Sequence, residues 1–265
     1  MISLRNIIVT FGKGTPLETL ALRSIDLDID RGEFVTVIGS NGAGKSTLLN
    51  ILSGEALADS GTLLIDNEDL TRRLTHARAG LVARVFQDPL AGTCEQLTIE
   101  ENLALACGRG RNRGLTKALN TNLRNRFKQQ LERLGLGLEN RLSDQMGLLS
   151  GGQRQAVSLL MATLQPAKIL LLDEHTAALD PKTAAFVLEL SREIIQEQSL
   201  TTLMVTHSMR QALDVGTRTI MMHQGRIVFD VSGQQREGLD VPDLLALFEK
   251  RQGESLTDDS LLLST

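Results

Sequence analysis

Residues 39–46 read GSNGAGKS, which fits the spacing G-x-x-x-x-G-K-[ST]. Gly39, Gly42 and Gly44 open backbone conformations closed to other residues. The N–H groups running through Ser40, Asn41 and Ala43 can then turn inward and cradle phosphate oxygens. A helix that begins at Lys45, Ser46 and Thr47 adds its positive dipole end to the same anion. Lys45 suits the β and γ phosphates of a nucleoside triphosphate, and the Ser46 hydroxyl suits Mg²⁺. The plainer alternative is a glycine-rich turn. The flanks favour the phosphate loop, because the compact apolar run EFVTVI at 33–38 precedes it and a helical pattern follows over 45–53.

A second pair of groups completes that chemistry. Residues 169–174 read ILLLDE, four apolar residues and then two carboxylates. In open α/β sheets ligands gather at the C-terminal ends of strands. Asp173 is placed to hold Mg²⁺ through a water, and Glu174 to polarise an attacking water. Taken alone, the pair could be an acidic turn in solvent. On one chain with GSNGAGKS it reads as the second half of a hydrolytic site.

The elements that must carry these groups are visible as periodicity. Residues 2–9 and 20–29 alternate as half-buried strands do, and 61–66 and 81–86 read as further strands. Residues 98–135 are helical in spacing and open on Thr98 and Glu101, a capping-box pair. Apolar strand-like runs return at 168–172, 201–206, 217–222 and 226–231. They alternate with helical stretches at 152–164, 181–197 and 208–215. That alternation predicts a parallel sheet covered by helices. The last residues, about 252–265, read as a loose tail.

Bulk properties narrow the class. The chain has 265 residues, enough for one large domain with a subdomain, and a net charge of -4. That charge argues against a nucleic-acid partner, as does the absence of Trp and Tyr, which removes most stacking platforms. Cys94 and Cys107 lack any redox or metal spacing and suit a reducing compartment. No signal-peptide pattern is seen, and no apolar run approaches the ~20 residues of a spanning helix. A membrane role would come through a partner.

Residues 149–153 read LSGGQ, and with them the chain resembles the ABC-type ATPases. The resemblance implies an α/β fold: a P-loop NTPase core of ABC ATPase type, an antiparallel β subdomain and an inserted α-helical subdomain. It spans about residues 2–235. The implied organisation is an ATPase domain over 1–236, with the helical subdomain at about 90–165, then a short C-terminal helix and tail over 237–265. In such proteins Ser150, Gly151, Gly152 and Gln153 face the γ-phosphate of ATP bound by the other subunit. This implies a head-to-tail dimer, of identical or related ATPase subunits, with ATP and Mg²⁺ sandwiched between them. Phe11 matches the aromatic that stacks on adenine. Gln87, in VFQDP, matches the glutamine that joins Mg²⁺ and the attacking water to the helical subdomain. Asp180, in Ala178-Leu179-Asp180, matches the loop that crosses the dimer interface, and His207, in MVTHS, the histidine at the γ-phosphate. The implied metal set is Ser46, Gln87 and Asp173. The implied catalytic set is Lys45, Gln87, Glu174 and His207.

His175 departs from the pattern, since most family members have proline there. The segments DEHTAALDP, FQDPLAGT and TIEENLALA resemble a branch found beside permeases and solute-binding lipoproteins of amino-acid-type uptake systems, including those for tryptophan and tyrosine. His175 has two readings, a tuner of Glu174 or a structural marker of that lineage. The expected partners are membrane-spanning permease chains and a solute-binding protein, and the expected place is the cytoplasmic face of the inner membrane, as a peripheral subunit. The alternative is a soluble ABC ATPase acting on ribosomes, DNA or cofactor assembly. A single cassette and the lack of a long coiled-coil insertion speak against its translation-factor and DNA-repair forms. The basic stretch 109–133 is read as a solvated helix face, a surface for lipid headgroups or acidic permease loops, or an RNA contact.

Overall fold

The computed structural model describes residues 1–111 and 117–252. In chain order the elements are β1 (Ile2–Phe11), β2 (Thr19–Ile29), β3 (Phe34–Gly39), α1 (Lys45–Ser53), β4 (Ser60–Ile65), β5 (Glu68–Asp69), α2 (Thr75–Arg78), β6 (Val82–Val85), α3 (Ile99–Cys107), α4 (Thr121–Glu132), α5 (Gly151–Thr163), β7 (Ile169–Asp173), α6 (Pro181–Gln198), β8 (Thr202–Val205), α7 (Met209–Val215), β9 (Arg218–His223), β10 (Arg226–Ser232) and α8 (Val241–Gln252). They fall into two compact units, one of residues Met1–Arg78 and Leu200–Thr265, the other of Ala79–Ser199.

The first unit contains two sheets. One is antiparallel, in the order β2-β1-β4-β5. Its long strands alternate, so Ile2, Leu4, Ile7 and Val9 of β1 meet Leu22, Ile25, Leu27 and Ile29 of β2 in one core. In the other, β3 lies between β8 and β9 and runs parallel to both. All six residues of β3 are buried, as befits a strand covered on both faces. The parallel expectation fails at one edge. Here β10 returns antiparallel to β9, because Gln224 and Gly225 both take positive φ, 46° and 76°, and close a two-residue hairpin. Below that edge Ile38, Met209, Ala212, Met221, Phe229, Val231 and Leu244 form a core that docks α7 and α8.

In the second unit β6 runs parallel to β7, with Val85 opposite Leu172. The helical segment belongs to this unit. Its entry is fixed by the capping box: the Thr98 N–H donates to Glu101 Oε2 at 2.7 Å, and the Glu101 N–H to Thr98 Oγ1 at 3.3 Å. Asn102 is buried and ties down the preceding loop, accepting from the Cys94 N–H and donating to the carbonyls of Cys94, Leu97 and Thr98. Part of the basic stretch, residues 112–116, lies outside the described residues, as does the tail over 253–265. Of the rest, Arg109 and Arg111 bond Gln165, Arg124 grips Glu100 with two nitrogens, Arg126 reaches the Leu164 carbonyl and Arg133 pairs with Glu197. These arginines stitch helices together within the unit.

Candidate functional site

The predicted residues divide between the units. Phe11, residues 39–47 and His207 lie in the first, and Gln87, residues 150–153, Asp173, Glu174 and Asp180 in the second. In each unit some of them stand at the C-terminal ends of neighbouring parallel strands: the loop after β3 and His207 after β8, Gln87 after β6 and Asp173 with Glu174 at the end of β7.

In the first unit the phosphate loop leaves β3 at Gly39, whose φ is 149°. A Cβ there would stand 2.2 Å from the Met222 carbonyl oxygen of β9, and one at Gly44 (φ 102°) would stand 2.8 Å from the Ala21 carbonyl oxygen. Glycine is therefore required at both by strand packing as well as by dihedral angle. Inside the loop the Ala43 N–H closes a turn onto Ser40 O at 3.1 Å, and Ala43 O takes the Gly225 N–H at 3.0 Å. Lys45 is 5% exposed, and its Nζ donates to Gly39 O at 2.7 Å and Ser40 O at 3.0 Å. A buried ammonium held against the loop's own carbonyls is positioned to meet an anion. Helix α1 has no side-chain N-cap, whereas α3, α4, α5, α6 and α7 are capped by Thr98, Asn120, Ser150, Asp180 and Ser208. The first-turn amides around Lys45, Ser46 and Thr47 thus suit an anion from outside the chain. The opposite end of α1 is held by Arg78, fully buried, whose Nη1 donates to the carbonyls of Ile51 at 2.5 Å and Leu52 at 3.0 Å. Nothing in the spacing of the sequence marks Arg78.

His207 reaches the same edge from β8. Val205 is in register with Val37, and Thr206 donates its N–H to Val37 O at 3.1 Å. Ser208 then caps α7, so His207 sits between an anchored threonine and a helix cap. Phe11 ends β1 and is 46% exposed, an aromatic available for stacking.

In the second unit β7 delivers Asp173 and Glu174 as β6 delivers Gln87. Asp173 Oδ2 accepts from Arg84 Nη2 at 2.6 Å. Glu174 has φ 45°, a left-handed conformation that is costly for this residue type and fixed by the turn after it, where the Ala177 N–H bonds Glu174 O at 2.9 Å. Gln87 is exposed, and Gln155 of α5 holds the carbonyl of its neighbour Phe86 at 3.1 Å. His175 is buried and faces α6, with Nε2 2.9 Å from Ser191 Oγ. Burial pushes its imidazole pKa down to about 4.

LSGGQ forms the start of α5. Ser150 and Gln153 make a second capping box, with the Gln153 N–H donating to Ser150 Oγ at 3.3 Å and the Ser150 N–H to Gln153 Oε1 at 3.2 Å. Gly151 is exposed, but Gly152 is buried, and a Cβ there would stand 2.0 Å from Thr183 Cγ2, so α5 and α6 approach closely at this point. Arg154 grips the segment before the helix, donating to Gly147 O, Leu149 O and Glu95. Asp180 caps α6 by accepting from the Thr183 N–H at 3.1 Å, ahead of Pro181 at the first helical position. Bonds from Thr183 hold its carboxyl below the usual range.

The ABC transporter family model matches residues 22–177. The chain is 44% identical over 249 residues to a tyrosine transport ATP-binding protein of Clostridioides difficile (strain R20291), covering 94% of this chain and 99% of the relative. It is 38% identical over 203 residues to the thiamine import ATP-binding protein ThiQ of Salmonella choleraesuis (strain SC-B67), 77% of this chain and 81% of that one. Among solved structures it is similar to the dimeric ATP-binding cassette MJ0796 in a post-hydrolysis state bound to ADP and Pi, with a TM-score of 0.74 and 31% identity over 88% of this chain and 98% of that one. The chain belongs to the ABC transporter family, as one of its ATP-binding and ATP-hydrolysing subunits.

Proposed function

We propose that this subunit energises an importer of amino-acid-like small solutes, and that it does so as a peripheral protein on the cytoplasmic face of the inner membrane. The observation that carries the substrate class is the near full-length likeness to a tyrosine transport protein. The thiamine relative is more distant and matches less of the chain. In this reading residues 1–236 form the ATPase domain, about 90–165 its helical subdomain, and 237–265 an appended helix and tail. Partners are permease chains, a solute-binding protein and a second ATPase subunit, identical or related. Among the described residues no helix is long and apolar enough to cross a membrane.

The phosphate loop, Lys45, His207 and, from the other subunit, Ser150, Gly151, Gly152 and Gln153 bind and orient the triphosphate. Phe11 stacks on adenine, and Asp180 lies at the subunit boundary. In this reading Ser46, Gln87 and Asp173 are the residues that would hold Mg²⁺, each carrying a hard oxygen donor of the kind that ion takes. Bound Mg²⁺ neutralises charge on the phosphates. Glu174 accepts a hydrogen bond from the attacking water and fixes its line of approach. Its left-handed backbone breaks the extended run of β7, which ends at Asp173. Lys45 and His207 stabilise charge on the phosphoryl oxygens.

Glu174→Gln preserves the shape of that group and removes its basicity. ATP hydrolysis is expected to fall by at least about 10² to 10³-fold, while nucleotide binding persists and a dimer accumulates on a sizing column. Wild-type turnover in this variant would end the assignment of Glu174.

A further inference from the structure

Arg84 is a charged residue in the middle of β6, otherwise Val82, Ala83 and Val85. It is in register with Leu171 of β7, two residues before Asp173. Its Nη2 donates to Asp173 Oδ2 at 2.6 Å, and the two side chains are only 10% and 13% exposed. The guanidinium also lies over the Phe86 ring, 4.8 Å from the centroid. Phe86 in turn is held through its carbonyl by Gln155. The pair is thus fixed from both sides, by the register of two strands and by an aromatic stack.

We propose that Arg84 is a latch on Asp173 that competes with the divalent cation for this carboxylate. The proposal rests on the assignment of Asp173 to the metal made above. A guanidinium keeps its charge at any working pH. In a poorly screened site it repels a second cation while orienting the carboxylate that the cation needs. Loading the site therefore exchanges one partner of Asp173 for another. Arg84 is a positioning residue, and the latch makes the metal-free chain more stable at the expense of metal affinity. A purely structural role predicts the reverse effect on the metal, because a displaced carboxylate binds it less well.

The test uses the full chain with Glu174→Gln in the background, so that nothing turns over. A fluorescent ATP analogue is held at fixed concentration and Mg²⁺ is titrated from a chelated start. With Arg84→Met the Mg²⁺ midpoint is expected to fall on the order of tenfold, because a nearby like charge is removed. Arg84→Lys, which keeps the charge but loses the planar fork, is expected to fall severalfold. In melts without metal the Met variant unfolds at a lower temperature, and Mg²⁺ with ATP raises its midpoint by more than in the unsubstituted chain. An unchanged or raised Mg²⁺ midpoint, or equal stabilisation by Mg²⁺ and ATP, overturns the latch. Should the Met variant not fold, the Lys variant decides by the same criterion. Asp173→Asn separates the two assignments. If it leaves the Mg²⁺ midpoint unmoved, Asp173 is no metal ligand and both readings fall. If it raises the midpoint while Arg84→Met does not lower it, the latch alone falls.

Discussion

Two glycines of the phosphate loop are alike in sequence and unlike in what they resist. At Gly39 an added methyl would meet the Met222 carbonyl at 2.2 Å, and that neighbour is backbone that cannot turn away. At Gly42 φ is 75° but no atom lies within 4 Å of the added carbon. Gly42→Ala is therefore expected to cost about 1–2 kcal/mol, the penalty of a left-handed residue. Gly39→Ala, which must also part β3 from β9, is expected to cost about 3 kcal/mol or more. Urea unfolding of the two variants checks the order, and equal midpoints would show that packing against β9 does not constrain Gly39. The loop itself was legible because its glycines and lysine stand at fixed spacing on contiguous sequence. Arg84 was not, since LVARVF reads as an ordinary strand and its partner is 89 residues away. Only the register of β6 on β7 brings that pair together. Arg78 was hidden for the same reason, being fixed by the carbonyls of α1 and not by any motif.

At the scale of elements, most boundaries followed from hydrophobic periodicity, and the failures have physical causes. Strand β5 has two residues and α2 has four, too short for any period to show. The direction of β10 depends on the positive φ of Gln224 and Gly225, which no apolar pattern records. The turn between β7 and α6 carries a prediction of its own. Ser191 Oγ donates to Val187 O at 2.7 Å, so its lone pair accepts from His175 Nε2–H and the imidazole sits neutral between turn and helix. The folded pKa is about 4, against an ordinary value of 6.5. Above pH 6.5 neither the folded nor the unfolded chain binds the proton, and His175 contributes no slope. Between about 6.5 and 4 the unfolded chain gains the proton and the folded chain does not, so stability falls as pH falls, by up to ~3 kcal/mol. Urea unfolding without metal or nucleotide, compared with His175→Gln, is expected to show that part of the acid slope disappear. Identical slopes would mean that His175 is not the group responsible.

For the whole molecule, the predicted residues are shared between the two units, and in the proposed reading LSGGQ acts on ATP held by a second ATPase subunit. A tagged chain purified from its native cells in mild detergent is expected to bring down a membrane protein with several spans in stoichiometric amount. Recovery of ribosomal, DNA-repair or assembly proteins instead, with no membrane protein, would remove the transport reading and leave the ATPase. The first unit is also interrupted in sequence, since it resumes at Leu200 after the whole of the second. This has a consequence for synthesis. Strand β3, buried along all six residues, emerges from the ribosome more than 150 residues before β8 and β9, its two ladder partners. During that interval the phosphate loop has a strand behind it but no sheet, and an apolar edge stands unpaired. The nascent chain thus passes through a long period in which the segment proposed to bind ATP carries a buried-type apolar strand with no ladder partner yet made.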